Sequence, residues 1–404
     1  MTIGGKTQQQ AIEALSRMTD NAVPIDIVEY AARIKVAQEY MVRHNIDATY
    51  LNAGSNLTYF TGTKWNPSER MVGAVLPAIG DPVYIAPAFE RSTIQKYMVI
   101  PGDIACWDEH ENPALLLRKV LADLGISKST DSPRQLYIDE STPLFLFTAI
   151  RATMLGYALQ PATPLTAFCR ARKSAAEIAL IQCAMNMTME VHRATASMLH
   201  EGITTKEVED FVNQAHKRVG SSGSYFCIVL FGEASSYPHG VNCVQTLKKG
   251  DIVLIDTGCK VHNYISDITR TYVFGKPSER QRFVWNSEKA AQLAAFEAAQ
   301  LGVPCEEVDK AARRSLESNG FGPGYKLPGL PHRTGHGIGL DIHEGPYLVG
   351  GETRPLETGM CFSNEPMICV PGEFGVRLED HFYMSASGPK WFTEPAASLE
   401  APFS

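Results

Sequence analysis

The sequence predicts two domains: an α/β domain over residues 1–168 and a second domain over 169–404 built as a pseudo-twofold repeat. Three observations carry this. The chain has 404 residues, too many for one ordinary domain. Its first part alternates helical and strand patterns. Its second part carries one motif twice, with two acids in register in each copy.

In the first part, residues 27–45 have apolar positions at helical spacing, and Ala48–Leu51 is a short strand. NAGSNLTYFTG reads as a turn followed by an aromatic stretch. Residues 71–87 read as two strands around a Gly-Asp-Pro turn. Residues 114–125 form a helix stopped by Gly125, and 135–139 a further strand. PATPLTAF is a Pro/Thr connector. Ser174 and Glu177 then have capping-box spacing ahead of a long apolar-periodic run, which predicts the helix opening the second domain.

The repeat rests on two anchors per copy. Gly202–Val208 aligns with Gly302–Val308, and Leu247-Lys-Lys-Gly250 aligns with Leu356-Glu-Thr-Gly359. Asp256 and Glu365 each fall six residues after their glycine. A second acid follows in each copy, Asp267 in the first and Glu379 in the second. Each copy therefore reads helix, strand, acid, turn, strand, acid, and the four carboxylates should meet at the pseudo-axis.

Composition narrows the function. Lys plus Arg number 37 against 44 Asp plus Glu, a net charge of −7. A mildly acidic chain is not built to bind nucleic acid. No apolar run reaches the roughly 18–20 residues that span a bilayer. MTIGGKTQQQ lacks a signal-peptide pattern, so the expected compartment is the cytoplasm, with no membrane partner. Nine dispersed cysteines without CxxC spacing suit reduced, mostly buried thiols. HExxH, GxSxG and GxxxxGK[ST] motifs are missing, which disfavours a metal-free serine hydrolase or a P-loop enzyme.

The acids point to a metal. Asp256 lies in IVLIDTG, otherwise a buried strand, and Glu365 ends CFSNEP in similar company. A carboxylate there without a partner is costly, and a hard divalent cation removes the cost. Between the two acid pairs lies PHRTGHGIGLDIHEGP, with His332, His336 and His343 in a glycine-rich setting. Gly335, Gly337 and Gly339 leave room for another group or backbone to approach closely. GHGIGL is not a dinucleotide fingerprint, because position 340 is Leu. His239, in SSYPHG, is a fourth candidate. His44, His110, His192, His200, His216, His262 and His381 read as surface or incidental.

These residues resemble the metal signature of the pita-bread metallopeptidases, the methionine aminopeptidases, aminopeptidase P and prolidases. The order Asp256, Asp267, His336, Glu365, Glu379 stands in LIDTG, SDITRT, GHGIG, NEP and RLED. The spacings from Asp256 to Asp267, from His336 to Glu365 and from Glu365 to Glu379 are similar to those of microbial prolidases. The first domain, with NLTYFTG and a following SER segment, resembles the creatinase/prolidase N-terminal domain. The resemblance covers nearly the whole chain and is most marked with short bacterial Xaa-Pro dipeptidases.

The resemblance implies an α/β N-terminal domain and an α+β pita-bread catalytic domain. It implies two divalent cations on Asp256, Asp267, His336, Glu365 and Glu379, with Asp267 and Glu379 bridging. Mn²⁺ is favoured because one imidazole stands among carboxylates, and Co²⁺, Zn²⁺ and Fe²⁺ are alternatives. The implied reaction is hydrolysis of Xaa-Pro dipeptides, a metal-bridging hydroxide attacking the scissile carbonyl and Glu365 shuttling the proton. His239 and His343 would act on the amide and the proline end. His332 would line the pocket, and Arg377 would orient Glu379 or the rim of the substrate site. Many prolidases bind the substrate carboxylate with an Arg before NEP, and here that stretch holds Arg354 alone. The alternatives are aminopeptidase P acting on longer Xaa-Pro peptides, a metal-free creatinase-like amidinohydrolase, and a pseudoenzyme acting as a binding module. The last two typically lose the acidic ligands that this chain keeps. The partners implied are a small peptide with proline second and another copy of the chain. In that homodimer Trp65, in a segment Tyr59–Pro67 that does not read as core, would cap the neighbouring site.

Overall fold

The computed structural model describes residues 3–127 and 132–403. The chain divides into two compact units, Ile25–Arg170 and the residues up to Pro24 together with those from Ala171 onward.

The Ile25–Arg170 unit is a six-stranded mixed sheet with helices. Its strand order is Asp103–Trp107, Val83–Pro87, Gly73–Pro77, Ala48–Asn52, Arg134–Ile138, Tyr157–Pro161. Ala48–Asn52 is buried at every residue, which suits an interior strand covered on both faces. Helix Ile27–Arg43 begins where Asp26 accepts the Glu29 N–H at 2.8 Å. Helix Pro113–Asp123 is capped by Asn112 and starts with proline, which lacks only a donor the first turn leaves unused. Tyr50, Val75, Ile85, Leu117, Leu121 and Ile138 form its core.

NLTYFTG differs from the reading above. It lies in helix Ser55–Thr61, which ends at Gly62 in the left-handed region. Tyr59 and Phe60 are buried, and the Tyr59 hydroxyl donates to Cys169 O at 2.7 Å. These two aromatics are therefore core.

The division at 170/171 lies two residues from the expected 168/169, but the segment up to Pro24, expected in the first domain, groups with the second unit. Backbone N–H groups of Gly4, Lys6 and Met18 donate to Ala196 O, Ser197 O and Val219 O at 2.8, 3.0 and 2.9 Å. The segment's pattern is short: Thr7 and Gln10 form a capping box, and only Ala11 and Leu15, four residues apart, are buried apolar side chains of its helix and the turn after it.

Helix Ala175–Met198 opens with the full Ser174/Glu177 capping box. Behind it the repeat is visible bond by bond. Gly202 N donates to Leu247 O and Gly302 N to Leu356 O, both at 2.9 Å. Leu247 N donates to Ile203 O and Leu356 N to Val303 O, again both at 2.9 Å. Each pairing launches a helix of equal length, Thr205–Arg218 and Cys305–Ser318. Gly250 and Gly359 both have φ of +90°, which a side chain would resist, and each starts the turn into an acid-bearing strand.

The two copies feed two antiparallel sheets. In the first, Ile252–Gly258 lies between Phe226–Phe231 and Ile268–Val273. In the second, Cys361–Asn364 lies between Gly335–Gly337 and Asp380–Ser385, with Glu344–Leu348 and Gly388–Trp391 at the edges. A bridge between Thr269 and Glu379 links the acid-bearing ends of the two sheets. The pseudo-twofold expectation and the observed architecture therefore agree.

Two smaller expectations are corrected. Cys243 is exposed, and Cys106, Cys183 and Cys227 are half-buried, although none of the cysteines among the described residues is in a disulfide. His192, His216 and His381 are buried rather than incidental surface residues. Hydrogen bonds make the first two tolerable: His192 Nε2 meets Ile268 O at 3.0 Å, and His216 meets Thr188 at 3.1 Å and Ser224 at 2.9 Å. No helix among the described residues is long and apolar enough to cross a membrane.

Candidate metal centre and active site

The four acids and the histidine of the motif come from five places in the repeat. Asp256 lies within strand Ile252–Gly258, Asp267 just before Ile268–Val273, and His336 in Gly335–Gly337. Glu365 follows Cys361–Asn364, and Glu379 precedes Asp380–Ser385. The central strand pairs are therefore what carry the acids inward.

The glycines beside His336 have a steric reason. A Cβ on Gly335 would overlap Ser363 O, and one on Gly337 would overlap Glu344 O. The backbones pass too closely for any side chain, which holds the His336 ring in place. The His336 N–H donates to Ser363 Oγ at 2.9 Å, and its Nδ1 lies 3.0 Å from Gly337 O. That leaves Nε2 pointing at the acids, 3.0 Å from Glu365 Oε1 and 3.6 Å from Asp267 Oδ2.

The acids crowd one another. Asp256, Asp267 and Glu379 are buried, and the Glu365 side chain is 14% exposed. Asp256, Asp267, Glu365 and Glu379 lie close enough for their charges to act on one another. Two like charges about 4 Å apart repel by roughly 4 kcal/mol at an effective dielectric near 20. Burial, reinforced by the neighbouring carboxylates, accordingly pushes Asp267 and Glu379 well above the usual carboxylate range. Burial also raises Asp256, against the pull of Arg377. Glu365 goes the other way. Burial would raise it, but the hydrogen bond and charge of His336, joined by the charges of His332 and Arg377, hold it low.

Buried polar atoms lack partners here. Asp256 Oδ1, Glu379 Oε1 and both His381 ring nitrogens make no hydrogen bond of proper geometry. One ligand atom from each of Asp267, His336, Glu379 and His381 lies within 4.8 Å of the other three. Buried orphan oxygens and imidazole nitrogens with excess negative charge fit a divalent cation centre.

Arg377, expected among the substrate-binding residues, is buried, and its donors are taken by the protein. It donates to Asp256, to Thr269 Oγ1 at 3.0 Å and to Pro238 O at 3.0 Å. Thr269 Oγ1 in turn donates to Glu379 Oε2 at 2.7 Å. Arg377 therefore positions two of the acids. Behind them Arg270 donates to Glu379 O at 3.0 Å and to Asp380 at 2.6 Å. Sequence reading missed Arg270, although SDITRT places it on the strand after Asp267.

The remaining histidines ring the acids. His343 is exposed, its ring edge-on to His336 with centroids 4.3 Å apart. Protein packed around one side of the otherwise exposed ring, then the charge of His336, pushes His343 down to about 4. His332 is half-buried, with Nε2 unpartnered and its carbonyl accepting from Arg313 at 2.6 Å. His239 is exposed and close enough for its charge to act on both His332 and His343. Arg354 makes two bonds to Glu352, at 2.9 and 2.6 Å. Its guanidinium lies beside Gly345 of the His343 segment.

Comparison with known proteins identifies the family. The profile of metallopeptidase family M24 matches residues 179–386, and that of the creatinase/prolidase N-terminal domain matches residues 33–172. The chain belongs to metallopeptidase family M24. An uncharacterized peptidase of Staphylococcus aureus is 31% identical over 344 residues, covering 85% of this chain and 93% of the relative. The crystal structure of dipeptidase PepE from Mycobacterium ulcerans aligns with TM-score 0.84 and 31% identity, over 92% of this chain and 97% of that one. A prolidase from Thermococcus sibiricus aligns with TM-score 0.81 and 30% identity, over 90% and 97%. This M24 chain is thus a peptidase with a creatinase/prolidase N-terminal domain and a pita-bread catalytic domain, as the resemblance implied.

Proposed function

We propose that the chain is a prolidase, hydrolysing Xaa-Pro dipeptides with two divalent cations held by Asp256, Asp267, His336, Glu365 and Glu379. The buried carboxyls of Asp267 and Glu379 beside His336, with Glu365 3.0 Å from its Nε2 and Asp256 close enough for its charge to act on them, carry this reading. The full-length likeness to PepE and to the Thermococcus sibiricus prolidase supports the substrate class. Bound there, the cations would supply an activated water and a Lewis acid for the scissile carbonyl.

The chain's own residues supply the rest. Glu365, 3.0 Å from His336 Nε2 beside the other acids, is placed to accept the proton of the attacking water and deliver it to the departing proline nitrogen. Ser363 Oγ donates to Glu365 Oε1 at 3.1 Å and fixes its orientation. His343 and His239 lie beside the acids, where a ring N–H can donate to the carbonyl oxygen, whereas neutral His332 gives its one N–H to Arg333 O at 2.7 Å and offers Nε2 as an acceptor. A Xaa-Pro bond carries no N–H and its ring fixes the backbone, so it needs a dedicated pocket. Mn²⁺ is the first candidate cation. The protein acts in the cytoplasm as a homodimer.

Product analysis tests the proposal. With Mn²⁺ supplied, Gly-Pro and Ala-Pro should be cleaved, Xaa-Pro-Yaa peptides should be poor substrates, and chelation should abolish turnover. Preferred release of the first residue from longer peptides would make the enzyme an aminopeptidase P. Full activity in demonstrably metal-free protein would remove the metal from the reaction.

A further inference from the structure

His381 lies in strand Asp380–Ser385 and is fully buried. Side chains along a strand alternate faces, so Glu379 and His381 share one side and Asp380 faces the other. The contacts agree. Asp380 is bound by Arg270 at 2.6 Å and by Gln292 and Thr393 at 3.1 Å. Glu379 and His381 instead both present ligand atoms towards Asp267 and His336. Across the sheet His381 stands opposite Ser363, the residue that binds both His336 N–H and Glu365.

Divalent ions sit about 2.0–2.2 Å from nitrogen and oxygen ligands, so two ligands of one ion are at most about 4.4 Å apart. A cluster within 4.8 Å needs only small side-chain adjustments to meet that limit. A buried imidazole ordinarily makes at least one hydrogen bond; neither His381 nitrogen makes one of proper geometry, and a bond to the nearby Asp267 backbone would still leave the other nitrogen free for a cation. A buried ring of this kind, aimed at three other ligand atoms, is accounted for by a bond to a cation.

We infer that His381 is a metal ligand, sharing one cation with Asp267, His336 and Glu379 and adding a second imidazole to the five-residue set. This rests on the metal centre proposed above. The preference for Mn²⁺ assumes one imidazole among carboxylates. A second imidazole moves the site towards ions that favour nitrogen, among them Zn²⁺, Co²⁺ and Fe²⁺.

X-ray absorption on the full-length protein loaded with Zn²⁺ or Co²⁺ counts imidazoles directly. The wild type should hold two imidazoles per two ions, and His381→Gln one. Competition with a chromophoric chelator should show affinity falling roughly tenfold or more in that variant, since even outer-shell partners are worth about 10–100-fold. One imidazole per two ions in the wild type overturns the inference, whether or not His381→Gln folds. An unchanged count and affinity in a folded His381→Gln overturns it as well. A wild type that binds no metal overturns the metal centre itself, and this assignment with it.

Discussion

Arg377 donates its guanidinium to Asp256 from within the same buried pocket, both side chains being at most 10% exposed. It is a cation set permanently among acids that a metal would otherwise have to neutralise alone. Its Nε holds Thr269, which holds Glu379, so one side chain sets the positions of an acid from each copy of the repeat.

Arg377→Ala should therefore destabilise the metal-free protein by about 3–5 kcal/mol, the usual cost of breaking one side of a buried pair. The loss should be smaller in metal-loaded protein, where cations compensate the acids. Urea unfolding with and without chelator reads both values, and equal losses in the two states would refute the compensation.

Asp267→Ala and Glu379→Ala should be inactive and bind fewer metal ions, as read by elemental analysis. Glu365→Gln should lower kcat by about a hundredfold or more with a far smaller change in KM, because proton transfer matters in the transition state. Wild-type turnover in Glu365→Gln would take that residue out of the mechanism.

Acid should weaken the fold through its buried histidines. Burial pushes His192 and His216 down to about 3. A histidine in the unfolded chain titrates near about 6.5, so below that pH the unfolded state binds more protons. Each ring's contribution is complete above about pH 6.5 and is lost towards pH 3, at roughly 1.4 kcal/mol per pH unit. Urea unfolding at pH 7, 6 and 5 should show a shallower loss in His216→Gln than in the wild type. Parallel pH profiles would rule out His216 as a contributor.

Much of this was written in local patterns. The Ser174/Glu177 capping box and the paired glycine anchors concern neighbouring residues, so sequence spacing reports them faithfully. The acids were legible because a carboxylate inside an apolar strand has few stable explanations. His381 was not, because a single histidine looks incidental until strand alternation from Glu379 is followed two residues further. That signal was available. The docking of the segment up to Pro24 on the second unit was faint, since beside its backbone hydrogen bonds it shows only a Thr7/Gln10 capping box and the buried pair Ala11 and Leu15.

The homodimer proposal narrows to one side chain. With Tyr59 and Phe60 in the core, Trp65 remains the available aromatic of its segment, half-buried and edge-on to Tyr97 with centroids 6.0 Å apart. The residues beside it, Lys64, Asn66 and Pro67, are exposed. An amphipathic indole on an exposed loop suits a contact with a second copy. If Trp65 caps the neighbouring pocket, it restricts that pocket to short peptides whose two termini must both be accommodated. Trp65→Ala should then weaken dipeptide hydrolysis several-fold and admit tripeptides, while leaving the metal content unchanged. A fully active monomer in sedimentation would overturn the cross-subunit role, and an unchanged length profile in Trp65→Ala would overturn the cap.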